Sequence, residues 1–103
     1  MEQINEQEFE EKTKSGIVLV DFFATWCPPC RMLTPVLEDV QKELGEKVKI
    51  YKIDVDENEN IARKFGIMSI PAMFVFVDGQ EKDKHVGFMP KDEVIAFLKK
   101  NME

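Results

Sequence analysis

Two cysteines, one tryptophan, one tyrosine and one histidine are all that this chain of 103 residues holds of those four types. Two cysteines are too few for a disulfide framework, so the core has to come from apolar side chains. Cations are in the minority as well: 14 Lys and Arg against 20 Asp and Glu leave a net charge of −6. That balance excludes the clustered positive charge that grips a phosphate backbone, and nucleic acid with it. The longest apolar run, Ile70 to Val77, is far short of the roughly 20 residues that span a bilayer, so no membrane partner is expected. Met1 to Glu8 is acidic and carries nothing like the apolar stretch of a signal peptide. Two thiols and His85 are too few ligands to close a zinc site, and Asp54 to Glu59 lacks the spacing of a calcium loop. No metal is expected.

What is present is the composition of an ordinary globular domain, 44% apolar and 33% charged, with length for one core over residues 1–103. One stretch stands out: Val20-Asp21-Phe22-Phe23-Ala24-Thr25-Trp26-Cys27-Pro28-Pro29-Cys30-Arg31. It carries both cysteines, the tryptophan, and an acid inside an apolar run. The first part reads as a buried strand, Ile17 to Phe23, and the second as the start of a helix whose first turn bears a C-x-x-C. Thiols three residues apart there can close a small disulfide ring. The free N–H groups and positive end of the helix favour the thiolate of Cys27, the species that attacks disulfides. The competing reading of the pair is half of a metal site completed by a second subunit.

Asn5 and Glu8 form a capping-box pattern for a first helix from Glu6 to about Lys14, with Ile4 on a short edge strand before it. From Pro29 to Leu44, Leu33, Val36, Leu37, Val40 and Leu44 share one helical face, with Pro35 inside and Gly45 closing the end. Val48 to Val55 is a second parallel strand. A short helix follows with Asn58 or Asp56 as N-cap, ending at Gly66. Ala72–Val77 and Glu81–Val86 are strands joined around Asp78-Gly79, a hairpin signal. A last helix runs from Pro90 to Lys100 and buries Val94, Ile95, Phe97 and Leu98. Strand, helix, strand, helix and then a hairpin gives an α/β fold, a central mixed sheet of four to five strands with helices on both faces.

With Trp26-Cys27-Pro28-Pro29-Cys30, Gly66-Ile67-Met68-Ser69-Ile70-Pro71 and Val86-Gly87 at these spacings, the chain resembles the thioredoxin family over essentially its whole length. The resemblance implies the thioredoxin fold, with element order β-α-β-α-β-α-β-β-α, and a cis peptide before Pro71. It implies a cytoplasmic, monomeric protein-disulfide reductase with no cofactor beyond its own Cys27–Cys30 disulfide/dithiol. Its partners would be disulfide-containing target proteins and a thioredoxin reductase drawing on NADPH or ferredoxin. Three positions depart from the usual pattern: Phe23 for a second tryptophan, Pro28 for glycine, Ala72 for threonine. The Ala24-to-Arg31 string is also similar to thioredoxin-like reductants of cytochrome c maturation outside the cytoplasmic membrane. A redox-sensitive binding module is the reading from another class.

Cys27 is the candidate nucleophile, expected to be partly exposed. The resemblance sets its pKa near about 7, the value known for thioredoxin-type pairs. Cys30, more buried, then resolves the mixed disulfide. Pro28 and Pro29 remove two donors from the turn, and Pro29 disfavours helical geometry at Pro28, so the helix is expected to begin no earlier than Pro29, or Pro28 to be strained. Asp21 is either a carboxylate satisfied by local hydrogen bonds or, as the resemblance implies, the group beneath Cys30 that takes its proton, with Lys52 nearby. Trp26 is expected on the rim, and Ser69-Ile70-Pro71 opposite Cys27, offering the Ile70 backbone to an extended substrate. Gly87, Phe88 and Met68 are candidates for an apolar groove, Phe88 being equally compatible with the core. His85 is expected to be solvated.

Overall fold

The computed structural model describes residues 1–102. Its elements run β1 (Glu2–Gln3), α1 (Phe9–Thr13), β2 (Ile17–Phe23), α2 (Pro28–Leu44), β3 (Lys49–Asp54), α3 (Glu59–Lys64), β4 (Ala72–Val77), β5 (Gln80–Val86) and α4 (Lys91–Lys100), with a single turn of 3-10 helix after α2. The five strands lie in the order β1-β3-β2-β4-β5. β1 and β2 run parallel to β3, while β4 is antiparallel to both β2 and β5. This is the mixed sheet, and the element order, that the sequence implied.

Alternation along the strands divides the interior in two. Val18, Val20, Phe22, Tyr51, Ile53, Phe74 and Phe76 face α1 and α3. There Phe9, Phe22, Phe65, Phe74 and Phe76 pack ring to ring at 5.3–6.5 Å. Leu19, Ile50, Met73 and Val75 face the other way, against Leu33, Leu37 and Val40 of α2 and Val94, Phe97 and Leu98 of α4. The same alternation puts Asp21 and Phe23 on the α2 side of β2, and Lys52 on the α2 side of β3. The sheet therefore delivers one acid and one base to the face that carries the cysteine helix.

The hairpin turns on Asp78 (φ 49°) and Gly79 (φ 86°), two consecutive left-handed residues, as a tight primed turn requires. At the other end, the capping box forms: Asn5 Oδ1 accepts from the Glu8 N–H, and Glu8 Oε1 accepts from the Asn5 N–H, both at 3.0 Å. Yet α1 begins only at Phe9, three residues later than expected. Glu6 is drawn away to α3 instead. Its N–H donates to Asn58 Oδ1 at 2.8 Å, and its carboxylate accepts from the Ile61 N–H at 3.2 Å. His85 is half-buried, not solvated, because it sits opposite Met73 on the α4 side and meets the Phe97 ring edge-on at 6.2 Å.

Candidate active site

The site is the N-terminus of α2. Cys27 is the N-cap in extended geometry (φ −93°, ψ 110°), and its Sγ accepts the Cys30 N–H at 3.3 Å. The helical ladder then starts with the Arg31 N–H donating to the Cys27 carbonyl at 3.1 Å. Pro28 is already helical, one residue earlier than expected. The first positions of a helix have no intrahelical acceptor for their N–H groups, so prolines there forfeit nothing. Pro28 and Pro29 leave the Cys30 N–H as the first amide of the helix, and the Cys27 sulfur takes it. The two cysteines are joined as a disulfide, with Cα atoms 5.3 Å apart.

Cys27 is 3% exposed and Cys30 2%. The partial exposure expected of Cys27 is thus not present in this oxidised form. Its sulfur is shared with Cys30, and the pair sits in a small apolar cluster with Phe23 and Ala24, covered by Val55 and Ile70. The Ile70 carbonyl oxygen lies 3.9 Å from Cys27 Sγ, and the Ile70–Pro71 peptide is cis. Around this covered sulfur the rim is open. Trp26 is 65% exposed, Met68 96% and Phe88 39%, and Pro28, Pro29 and Ser69 also face solvent. Phe88 therefore joins the rim and not the core. Gly87 stands next to it at φ 105°, its N–H donating to the Pro71 carbonyl at 2.7 Å.

Trp26 is held in place by Asp56, which the sequence offered only as a helix N-cap, a position that Asn58 takes. Its Nε1–H donates to Asp56 Oδ2 at 2.8 Å, and the Asp56 N–H in turn donates to Asp54 Oδ1 at 2.8 Å. Arg31 Nη1 donates to the Thr25 carbonyl at 3.0 Å, tying the loop before the cysteines to the helix after them. Nothing in one sequence couples positions 26 and 56. The acidic stretch simply reads as a solvated helix entry.

Two residues before Phe23 and on the same side of β2, Asp21 is fully buried and neither carboxylate oxygen has a hydrogen-bond partner. The reading of an acid satisfied at a strand end is therefore overturned. Burial pushes its pKa up to about 8, against a downward pull from the Lys52 charge. Lys52 is half-buried, its Nζ 5.0 Å from the centre of the Phe23 ring. A cavity of about 220 Å³ opens here, lined by Phe23, Cys30, Arg31, Thr34 and Lys52 among others. It gives solvent a way to the Cys30 side of the pair. Two cysteines one turn apart at a helix start, joined as a disulfide, make an arrangement suited to passing two electrons between dithiol and disulfide.

Comparison with known proteins points the same way. The family model described as Thioredoxin matches residues 1–100. The thioredoxin of Bacillus subtilis (strain 168) is 47% identical over 97 residues, covering 94% of this chain and 93% of that protein. That of Listeria monocytogenes is 46% identical over 100 residues, with 97% of each covered. That of Staphylococcus aureus (strain Mu50 / ATCC 700699) is 47% identical over 100 residues, with 97% of this chain and 96% of that protein covered.

Proposed function

The chain belongs to the thioredoxin family, and on that premise we propose how its residues divide the work. Its activity is that of a thiol–disulfide oxidoreductase reducing protein disulfides through its own cysteine pair. In the reduced protein, the Cys27 thiolate attacks one sulfur of a target disulfide. The target's S–S bond breaks, one target thiolate leaves, and a mixed disulfide forms at Cys27. Cys30 then gives its proton to Asp21 through water and attacks Cys27 Sγ. The mixed disulfide breaks and the second target thiolate departs. The target has gained two electrons and the protein holds the Cys27–Cys30 disulfide.

The hydrogen bond from the Cys30 N–H to Cys27 Sγ carries this division of labour. It supports Cys27 as the sulfur whose negative charge the helix end would stabilise once the disulfide is reduced. Lys52 moderates the acidity of Asp21. The target docks as an extended segment along Ile70, between Trp26, Pro28 and Pro29 on one side and Met68, Ser69, Pro71, Gly87 and Phe88 on the other. The spent disulfide is returned to the dithiol by a reductase drawing on NADPH or ferredoxin. The protein works as a monomer in the cytoplasm. No helix among the described residues is long and apolar enough to cross a membrane, and the bacterial relatives above are thioredoxins.

Cys30→Ser tests the assignment. Incubated with oxidised insulin, it accumulates a mixed disulfide at Cys27, while Cys27→Ser accumulates none. Trapping by Cys27→Ser, or none by Cys30→Ser, would overturn the roles.

A further inference from the structure

The methionines of this chain differ sharply in access. Met73 and Met89 are buried at 0% and 7%, Met32 is 59% exposed, and Met68 is 96% exposed, the most open of the exposed large apolar side chains. Met68 also adjoins the segment that covers the disulfide. It stands two residues before Ile70, whose carbonyl oxygen faces Cys27 Sγ. It lines a cavity of about 440 Å³ with Val55 and Ile67, and Val55 packs on the disulfide cluster. An unbranched thioether on such a rim is a contact for an apolar partner. Its sulfur is also more open to a small oxidant than that of Met32, and the disulfide ties up both thiols.

We propose that Met68 is a peroxide-modified site whose sulfoxide weakens docking of protein disulfides while leaving the thiol chemistry intact. The thioether sulfur attacks one oxygen of hydrogen peroxide. An S–O bond forms, the O–O bond breaks, sulfur loses two electrons and the remaining oxygen leaves as water. The product replaces an apolar contact on the rim by a polar one, and the target has to desolvate it. The inference rests on the docking described above, with protein targets lying over Ile70.

Limited hydrogen peroxide on the oxidised protein, followed by peptide mass mapping, places the first oxygen on Met68 ahead of Met32. After removal of peroxide and reduction of the disulfide, KM for insulin rises roughly five- to tenfold, as loss of one apolar contact implies. The rate with glutathione disulfide, too small to reach position 68, is unchanged. Met68→Leu shows the same insulin kinetics before and after peroxide, whatever its own starting rate. In the Cys30→Ser mixed disulfide with insulin, Met68 is shielded and oxidises more slowly than in the free protein. Oxidation spread evenly over Met32 and Met68, an unshifted KM, or peroxide sensitivity persisting in Met68→Leu would each overturn the proposal. So would a mixed disulfide that forms but leaves Met68 unshielded. Failure of the mixed disulfide to form at all would instead count against the docking reading itself.

Discussion

Asp21 and Lys52 stand opposite one another in the β2–β3 register on the face that packs against α2, yet neither Asp21 oxygen has a hydrogen-bond partner. No ion pair joins them, and burial outweighs the lysine's pull, so the acid's pKa is raised to about 8. A buried carboxyl left without partners is costly to the fold, and the proton-accepting role proposed for Asp21 would account for its being kept.

The cost is measurable as a pH dependence. The folded-state pKa of Asp21 lies above the unfolded value, so the unfolded chain releases this proton first as pH rises. Stability tied to this proton is fully present below about pH 4 and declines until pH passes about 8. Asp21→Asn removes the decline. It is predicted to be more stable than the parent by about 2–4 kcal/mol at pH 8, and the difference shrinks toward pH 4. Denaturant titrations of both proteins across that range check the prediction, and a pH-independent difference contradicts it. The same variant should lose about tenfold or more in turnover at neutral pH through slower resolution by Cys30.

The Asp56 carboxylate fixes the Trp26 indole at an exposed site. Its removal should therefore barely alter stability, by less than about 0.5 kcal/mol. Asp56→Ala is predicted to let the ring move, lowering its fluorescence anisotropy, and to raise KM for insulin several-fold. Exchange with glutathione disulfide should hold. An immobile Trp26 in the variant would show that the hydrogen bond does not position it.

Gly87 is the residue of the rim whose backbone demands glycine. At φ 105° an added Cβ meets no heavy atom within 4 Å. The whole penalty of Gly87→Ala is thus conformational, about 1–2 kcal/mol. Thermal unfolding checks this, and a melting temperature equal to the parent's contradicts it.

Much of this was legible in the linear chain because the decisive signals are local. Ile17–Phe23 has the continuous apolar run of a strand covered on both faces, and the structure returns the same bounds. Asp78-Gly79 supplies the positive φ values of a hairpin turn, and the four apolar residues of α4 follow helical spacing. Asp21 was conspicuous as an acid where only burial was on offer. What stayed hidden depends on partners far away. The start of α1 is set by Glu6 reaching Asn58 and Ile61, and the Phe9–Phe22–Phe65–Phe74–Phe76 cluster joins three elements and the residue after α3. The helix starts at Pro28 because the first turn asks for no amide there. Ile70 was expected opposite Cys27 through the family resemblance, but no spacing rule brings Val55 to the same cluster, and the near-complete cover over Cys27 was not foreseen.

That cover sharpens the central question, because burial raises a thiol's pKa while a helix N-terminus and a donated amide lower it. Alkylation rate against pH for reduced Cys27, read in Cys30→Ser to isolate the single thiol, decides between them. The account predicts an apparent pKa near about 7, the thioredoxin-type value, whereas an ordinary thiol's value of about 8.5 or above would contradict it.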